Sequence, residues 1–231
     1  MRTVTNYADG WTGYAIVSWI KSNIINTNKG WFRTHDNGDA VGGMRYDSTG
    51  ASGGGDDVIK WGLYANDAQQ TVESSALAQT TNLQFLVGQW DSIGTGGDVE
   101  LWIDGVKDVL TSTKNFTGTI DGTGHNQLCI GRGSKDDAGE SWNGDVYEVR
   151  IYNRSLSKAE IETMYTLCGA DKIFHGLQAH WYGSYLAGPG TTIPTTAAFI
   201  KDLSPYNCDL TADAANVLVA ESPLRRSKVL V

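Results

Sequence analysis

The sequence predicts an all-β fold, a jelly-roll β-sandwich of two antiparallel sheets packed face to face, with one short helix near residues 158–167. Between Tyr14 and Asn153, short β-prone runs alternate with clusters of Gly, Asn and Asp at intervals of about ten residues, as expected of a sandwich or barrel. Helical periodicity is missing from that stretch. The composition agrees, because 231 residues with 28 Gly and only 4 Pro are typical of a globular chain rich in turns.

Seven runs rich in β-branched, aromatic and aliphatic residues are predicted as strands. They span residues 14–20, 41–46, 58–64, 83–90, 98–103, 126–131 and 145–153. Glycine-rich segments separate several of them, since glycine adopts the positive φ that tight turns need. Asp104 and Gly105 stand between a predicted strand and the pair Val106 and Lys107, which predicts a two-residue hairpin turn.

One segment after these strands has the signals of a helix, over residues 158–167. Ser157 and Glu160 form the S-x-x-E pattern of a capping box, in which each residue satisfies a backbone N–H of the other. The apolar positions of the segment share one side and are expected to face the sandwich. They are Ile161, Met164, Tyr165 and Leu167.

Four segments carry a resemblance to a known family. Residues 130–133 (IGRG) precede residues 142–157 (WNGDVYEVRIYNRSLS), and upstream lie residues 15–21 (AIVSWIK) and 101–105 (LWIDG). Together they resemble laminin G-like domains of the concanavalin A-like lectin/glucanase group, over roughly residues 12–167. The resemblance implies two curved antiparallel sheets. Asp91 follows Trp90 where the family often has a histidine, so no role of that histidine is carried over.

The opening strand of such domains is missing from residues 1–10 and appears instead beyond the helix. Residues 176–181 (GLQAHW) and 202–207 (DLSPYN) look like this opening. We therefore expect residues 1–170 to form the laminin G-like sandwich and residues 171–231 to complete it by permutation, or to complete a neighbouring subunit. A truncated repeat is less favoured, because a half-domain of about 55 residues would leave apolar strand faces unburied. Residues 177–181 should pair beside residues 145–153.

Charge and composition exclude several classes of partner. The net charge of −8 argues against nucleic acid, which needs clustered Lys and Arg. No apolar run approaches the roughly 20 residues of a membrane helix, and residues 1–6 lack the apolar stretch of a secretory signal. The chain has three cysteines, too few and too widely spaced for a disulfide framework or a four-ligand zinc site. They are Cys129, Cys168 and Cys208, and one disulfide with one free thiol remains an alternative.

No catalytic constellation is found, so the chain is predicted not to be an enzyme. A glycosidase of this fold would place carboxylates at alternate or near-alternate positions on one strand, and no E-x-D-x-E run occurs. The nearest pairs are Glu100 with Asp104 and Asp145 with Glu148. The first brackets a turn and the second has an odd separation, so neither pair should share a sheet face cleanly.

No cofactor is predicted, with Ca²⁺ as the alternative. Oxygen ligands clustered on loops are what calcium needs, and two clusters offer them. One contains Asp36 and Asp39, and the other contains Asp136 and Asp137 with Glu140. Turn formation is the favoured explanation for both clusters, because Asp, Asn and Gly are common turn residues.

The tryptophans divide into core and surface candidates. Trp19, Trp90 and Trp102 lie within predicted strands and are expected in the core. Three others stand beside Gly-rich or charged segments and are candidates for a ligand-binding surface, because indole rings stack well on sugars and on protein hot spots. These are Trp31, Trp61 and Trp142.

The C-terminal tail, residues 221–231, is basic and ends in apolar residues, whereas the whole net charge of −8 lies in residues 1–170. Its residues are candidates for an assembly contact with the acidic body of another subunit. Those singled out are Arg225, Arg226, Lys228, Leu230 and Val231.

The leading functional hypothesis is a non-catalytic assembly or adhesion module, a decoration protein on a virion or another extracellular assembly surface. Its expected partners are copies of itself or other structural subunits. The alternative is a lectin-like module that binds a glycan, with calcium as a possible aid. A glycosidase is third, because the fold hosts all three classes and paired carboxylates are missing.

Overall fold

Two six-stranded antiparallel sheets pack face to face in the computed structural model, which confirms the predicted β-sandwich. The structure describes residues 2–3, 8–35, 42–48, 57–65, 68–92, 99–110, 118–122, 127–131, 140–182, 192–193, 199–200, 203–204, 210–211 and 216–217. Within these ranges, no helix is long and apolar enough to span a bilayer.

The strands and the helix follow one another in the order that gives them their labels. They are β1 (Arg2–Thr3), β2 (Gly13–Ser22), β3 (Lys29–His35), β4 (Gly42–Asp47), β5 (Val58–Ala65), β6 (Ala68–Glu73), β7 (Leu83–Asp91), β8 (Val99–Ile103), β9 (Val106–Lys107), β10 (Gln127–Ile130), β11 (Gly144–Tyr152), α1 (Lys158–Thr166), β12 (Leu177–Tyr182), β13 (Thr192–Ile193), β14 (Phe199–Ile200), β15 (Leu210–Thr211) and β16 (Asn216–Val217). The first sheet has the order β1-β10-β3-β4-β5-β6 and the second β12-β11-β2-β7-β8-β9. Strands β13 and β16 form a separate two-stranded sheet, and β14 and β15 form another.

The seven predicted strands all form, within about two residues of their expected bounds, whereas β3, β6 and the two-residue strands β1 and β13 to β16 are absent from the prediction. In β6, Val72 is the one large apolar residue, so the composition of this strand does not suggest β-structure. A bulge between Gly30 and Phe32 also disturbs the alternation of β3. The Asp104–Gly105 hairpin forms as predicted, with positive φ at both residues.

The core between the sheets is dominated by large aromatic rings. Trp61 of the first sheet stacks on Tyr14 of the second, with ring centroids 5.6 Å apart. A Cβ atom at Gly88 would lie 2.7 Å from the Trp61 ring, so only glycine allows this close approach. The predicted core positions Trp19, Trp90 and Trp102 are all buried, which confirms that part of the expectation.

A second apolar cluster lies on the outer face of the second sheet, under α1. Ile161 and Met164 of the helix are buried there with Trp19 and Phe85 of the sheet. The predicted capping box is present, since the Ser157 hydroxyl accepts from the Glu160 N–H and the Glu160 carboxylate accepts from the Ser157 N–H. The helix therefore packs over part of this face.

Strand β12 pairs antiparallel with β11 at the edge of the second sheet, with Val149 opposite Trp181. This confirms the prediction that residues 177–181 lie beside residues 145–153. Further along the chain, the N–H of Leu203 donates to the His180 carbonyl at 2.8 Å, and the Ser204 hydroxyl donates to the Gln178 carbonyl at 3.0 Å. The wider division of the chain at residue 170 stays a prediction.

Candidate functional site

The outer face of the first sheet carries a cluster of charged side chains, here called the charged face. Strand alternation creates it, because Met44 and Tyr46 of β4 point into the core while Arg45 and Asp47 point outward. Its members are Arg33 of β3, Arg45 and Asp47 of β4, Lys60 of β5, Glu73 of β6 and Glu140 of the segment before β11. Among the residues that the structure describes, three cations and three anions therefore share this surface.

Lys60 links the carboxylates at one end of the charged face. Its Nζ lies 2.8 Å from Asp47 Oδ2 and 3.0 Å from Glu73 Oε1. The register explains the contact, since Arg45, Lys60 and Glu73 are direct cross-strand neighbours on β4, β5 and β6. Arg45 Nη2 also lies 2.8 Å from Asp47 Oδ2, so one carboxylate holds two cations.

Glu140 joins the same face from a distant part of the sequence. A parallel bridge between Gly30 and Ser141 brings its segment beside β3. Its carboxylate then reaches Arg45 Nη1 at 3.5 Å and Arg33 Nη1 at 3.8 Å. The two arginines are thereby linked through one acceptor.

The members of the charged face differ in exposure. The side chains of Asp47 and Glu73 are only 3% and 6% exposed, whereas those of Arg45 and Glu140 are 35% and 24% exposed. The buried carboxylates of Asp47 and Glu73 thus orient the cations. The more exposed side chains, Arg45 and Glu140, form the accessible layer of the face, with guanidinium N–H donors beside one carboxylate acceptor.

A flat floor of glycine lies next to these charges. Gly43 and Gly62 are direct cross-strand partners, flanked in the same row by Arg33 on one side and Thr71 on the other. Both glycines are partly exposed on the outer face. Because neighbouring strands are about 4.8 Å apart, the row from Arg33 to Thr71 spans about 14 Å. A single sugar ring fits within that span.

The buried carboxylates of the charged face, Asp47 and Glu73, are joined by the ammonium group of Lys60. Asp47 Oδ2 and Glu73 Oε1 both contact the same Lys60 Nζ, so these two oxygens are not too far apart for the spacing of about 5–9 Å that glycoside hydrolases use. However, the Lys60 ammonium bonds to both and fills the space where a scissile bond would have to lie. The pair is therefore suited to ion pairing rather than to proton transfer.

The first acid pair considered from the sequence, Glu100 and Asp104, has structural roles. Burial would raise the pKa of Glu100, but hydrogen bonds from Lys107, Trp102 and Gln89 lower it below its ordinary value. Asp104 accepts from the Phe85 N–H at 2.8 Å in the hairpin turn, and burial raises its pKa. Neither carboxylate is part of the charged face, because both belong to the second sheet.

The second acid pair is divided by a bulge in β11 between Val146 and Glu148. Asp145 accepts from the Tyr147 hydroxyl at 3.0 Å, whereas Glu148 is buried and lies 2.8 Å from Arg150 Nη2. Burial would lower the pKa of Arg150, but the Glu148 carboxylate raises it.

The buried Arg150 ties the turn after α1 to the second sheet. Its Nη1 lies 2.7 Å from Asp171 Oδ1, and its Nη2 donates to the Gly169 carbonyl at 3.0 Å. On β12, His180 Nε2 lies 2.5 Å from Glu148 Oε1. Burial would raise the pKa of Asp171, but its hydrogen bond from Arg150 lowers it. This cluster joins β11, β12 and the turn after α1, and its side chains are at most 9% exposed.

The structure corrects the placement of two tryptophan candidates. Trp31 and Trp61 are fully buried, because their rings fill the space between the sheets and leave no face for a ligand. The Trp31 N–H donates to the Ser18 hydroxyl at 3.0 Å, which satisfies its polar atom inside the core. Trp142 is partly exposed, packs edge-on against Trp31 and Tyr46, and keeps its candidate role as a prediction.

The candidate calcium ligands are mostly outside the described residues, where Asp36, Asp39, Asp136 and Asp137 lie. Glu140 is described, and its two arginine partners make a cation beside it unfavourable. In the part of the chain that the structure covers, no group of three or more metal-ligating side chains is found. Calcium binding stays a prediction.

The assembly tail also lies outside the described residues. This applies to Arg225, Arg226, Lys228, Leu230 and Val231. Its proposed contact with another subunit therefore stays a prediction.

Five members of the charged face were not among the residues singled out from the sequence, namely Arg33, Arg45, Asp47, Lys60 and Glu73. A signal for some of them exists. In β4 the charged residues Arg45 and Asp47 alternate with Met44 and Tyr46, which indicates a strand with one polar face. The pairing across strands, however, needs the register of the sheet.

The two packed antiparallel sheets define a β-sandwich protein. A family profile described as the concanavalin A-like lectin/glucanases superfamily matches residues 4–162. The chain belongs to this superfamily, which confirms the laminin G-like resemblance. No curated protein matches the chain in sequence.

Three solved structures are similar to the chain at low sequence identity. A proposed carbohydrate-binding protein from Bacteroides ovatus has a TM-score of 0.69 at 15% identity, over 96% of this chain and 57% of that one. A heptameric SAP-like pentraxin from Limulus polyphemus has a TM-score of 0.59 at 12% identity, over 96% of this chain and 87% of that one. Domain 4 of AbnA, a GH43 extracellular arabinanase from Geobacillus stearothermophilus, in complex with arabinotriose, has a TM-score of 0.50 at 17% identity, over 71% of each chain.

These likenesses establish the fold alone, because all three identities are low. The chain also spans little more than half the length of the Bacteroides protein. The activity and partners of that whole protein therefore do not transfer with the fold.

Proposed function

We propose that the chain is a non-catalytic carbohydrate-binding module whose ligand lies on the charged face. The observation that carries the proposal is the accessible layer of Arg45 and Glu140 beside the glycine floor of Gly43 and Gly62. Sugar hydroxyls both donate and accept hydrogen bonds, so a surface with both kinds of charged partner suits them.

The charged face is pre-organised for such a ligand. Asp47 and Glu73 are nearly fully buried and hold Arg45 and Lys60 on rigid strands. Side chains that are already ordered lose less conformational entropy on binding, which increases affinity. On the second sheet, by contrast, the outer residues Trp19 and Phe85 pack against Tyr165 of α1.

The comparisons favour this lectin-like hypothesis over the decoration-protein hypothesis. One similar structure is a proposed carbohydrate-binding protein, and another is a domain in complex with arabinotriose. Self-association, structural subunits as partners and a location on a virion or another assembly surface stay predictions. The absence of catalysis is part of the proposal, and the position of Lys60 between Asp47 and Glu73 supports it.

The proposal is tested by screening the protein on a glycan array and measuring the binding of a hit by titration calorimetry. An Arg45→Ala variant should bind at least about tenfold more weakly, because a charged hydrogen-bond donor is lost. The matched control is Lys107→Ala, which removes a cation from the second sheet, where Lys107 pairs with Glu100 at 2.6 Å. Equal affinities of the two variants for the glycan would contradict the proposed site.

A further inference from the structure

We infer that the ligand of the charged face is a neutral oligosaccharide, and that Glu140 accepts a hydrogen bond from one of its hydroxyls. The inference rests on the proposed function and names the class of glycan that this site takes. Two observations carry it: the pairing of every cation on the face with a carboxylate, and the position of Glu140 in the accessible layer.

The charge balance of the face opposes an acidic glycan. Lys60 forms ion pairs with both Asp47 and Glu73, and Glu140 lies within ion-pair distance of both Arg33 and Arg45. A carboxylate or sulfate of a glycan would have to approach these cations against three nearby carboxylates, and like charges repel strongly where water is partly excluded. The net charge of −8 also provides no long-range attraction for an anion.

A neutral sugar avoids this repulsion. Its hydroxyl oxygens accept from the guanidinium groups of Arg33 and Arg45, while its hydroxyl protons are donated to a carboxylate. Asp47 and Glu73 are too deeply buried to accept them readily. Glu140 is the carboxylate of the face that combines exposure with contact to both arginines.

Glu140 also lies beside the glycine floor, at the end next to Gly43. Arg33 is the direct cross-strand neighbour of Gly43, and Glu140 contacts Arg33. A ring lying over Gly43 and Gly62 would therefore have Glu140 at one edge and Thr71 at the other. Side chains at either glycine would raise this floor.

A Glu140→Gln variant distinguishes the two glycan classes by the sign of its effect. For a neutral ligand, the variant loses a charged acceptor and loosens both arginines, so binding should weaken about tenfold. For an acidic ligand, the variant removes a repelling charge, so binding should strengthen. The control is Glu100→Gln, the same change on the second sheet, which should leave glycan affinity unchanged.

The probes are neutral and acidic oligosaccharides on one array, with lactose and α2,3-sialyllactose as a matched pair that differs by one acidic sugar. Binding to neutral glycans that weakens in Glu140→Gln supports the inference. Binding to acidic glycans that strengthens in the variant overturns the inference and leaves the proposed function standing. Neutral binding that Glu140→Gln leaves unchanged also overturns the inference, whereas the absence of any glycan binding overturns the proposed function itself.

Discussion

The outer faces of the two sheets are built on the same core but have opposite surroundings. On the second sheet, Trp19 and Phe85 pack against Tyr165 of α1, with ring centroids 5.9 Å and 5.8 Å apart. On the first sheet, the outward positions are charged, and Arg45 is 35% exposed. A face that a helix covers contributes to stability, and a polar face left partly open is available for a ligand. The comparison therefore separates the positions expected to affect stability from those expected to affect binding.

The largest expected effect comes from arginine-to-alanine changes made on each face in turn. Arg150→Ala leaves Glu148 and Asp171 buried without their cation, so the free energy of unfolding should fall by about 3–5 kcal/mol. Arg45→Ala, on the partly exposed face, should cost about 1 kcal/mol or less. Chemical denaturation of both variants measures the difference, and equal losses would break the comparison.

A smaller effect is expected when the packing of α1 on the second sheet is weakened. Met164→Ala removes a buried side chain between α1 and the sheet, which should lower the free energy of unfolding by about 2–4 kcal/mol. Glycan affinity should not change, because the charged face lies on the other sheet. Denaturation and calorimetry of the same preparation check both parts, and a loss of affinity in a folded variant would argue against the separation.

Lys60→Met should affect both properties. It leaves the buried Asp47 and Glu73 without the ammonium that joins them, which should cost about 2 kcal/mol. It should also weaken glycan binding, since these carboxylates no longer hold the face in order. Lys158→Met is the control, because Lys158 lies on the exposed side of α1 and pairs with Glu162. Wild-type binding by Lys60→Met would show that the ion pairs do not organise the site.

The smallest expected effect is the pH dependence from the helix cap. A hydrogen bond from Arg154 lowers the pKa of Glu160 from 4.5 to about 2. Because the folded-state pKa lies below the ordinary value, this stabilisation is present above about pH 4.5 and is lost as the pH falls toward 2. In Glu160→Gln, the free energy of unfolding should fall less steeply over that interval. Parallel slopes in the two proteins would contradict the assignment.

Much of the fold could be predicted from the sequence, because the burial of a strand determines its pattern of apolar residues. Strands β2 and β7 are buried on both faces and are mostly apolar, β4 alternates apolar with polar residues, and Ser157 with Glu160 marks the start of α1. Strand β3 escaped prediction because a bulge disturbs its alternation, and β6 because Val72 is its one large apolar residue. The resemblance of residues 177–181 to an opening strand correctly placed β12 beside β11.

The candidate site could not be predicted in the same way. Its residues range from Arg33 to Glu140, and only the sheet register and the bridge at Ser141 bring them together. The tryptophans show the converse error, since Trp31 and Trp61 stand beside polar residues in the sequence and are nevertheless fully buried. Local composition indicates which residues are polar, but pairing between strands decides which of them share a surface.

The most direct test of the central claim is a titration of the ¹⁵N-labelled protein with the best glycan from the array, followed by amide chemical-shift changes. The proposed site predicts that the largest changes fall on β3, β4 and β5, at Arg33, Gly43, Arg45 and Gly62, with little change on β7 and β8. Changes confined to the second sheet would contradict the assignment of the charged face as the carbohydrate-binding site.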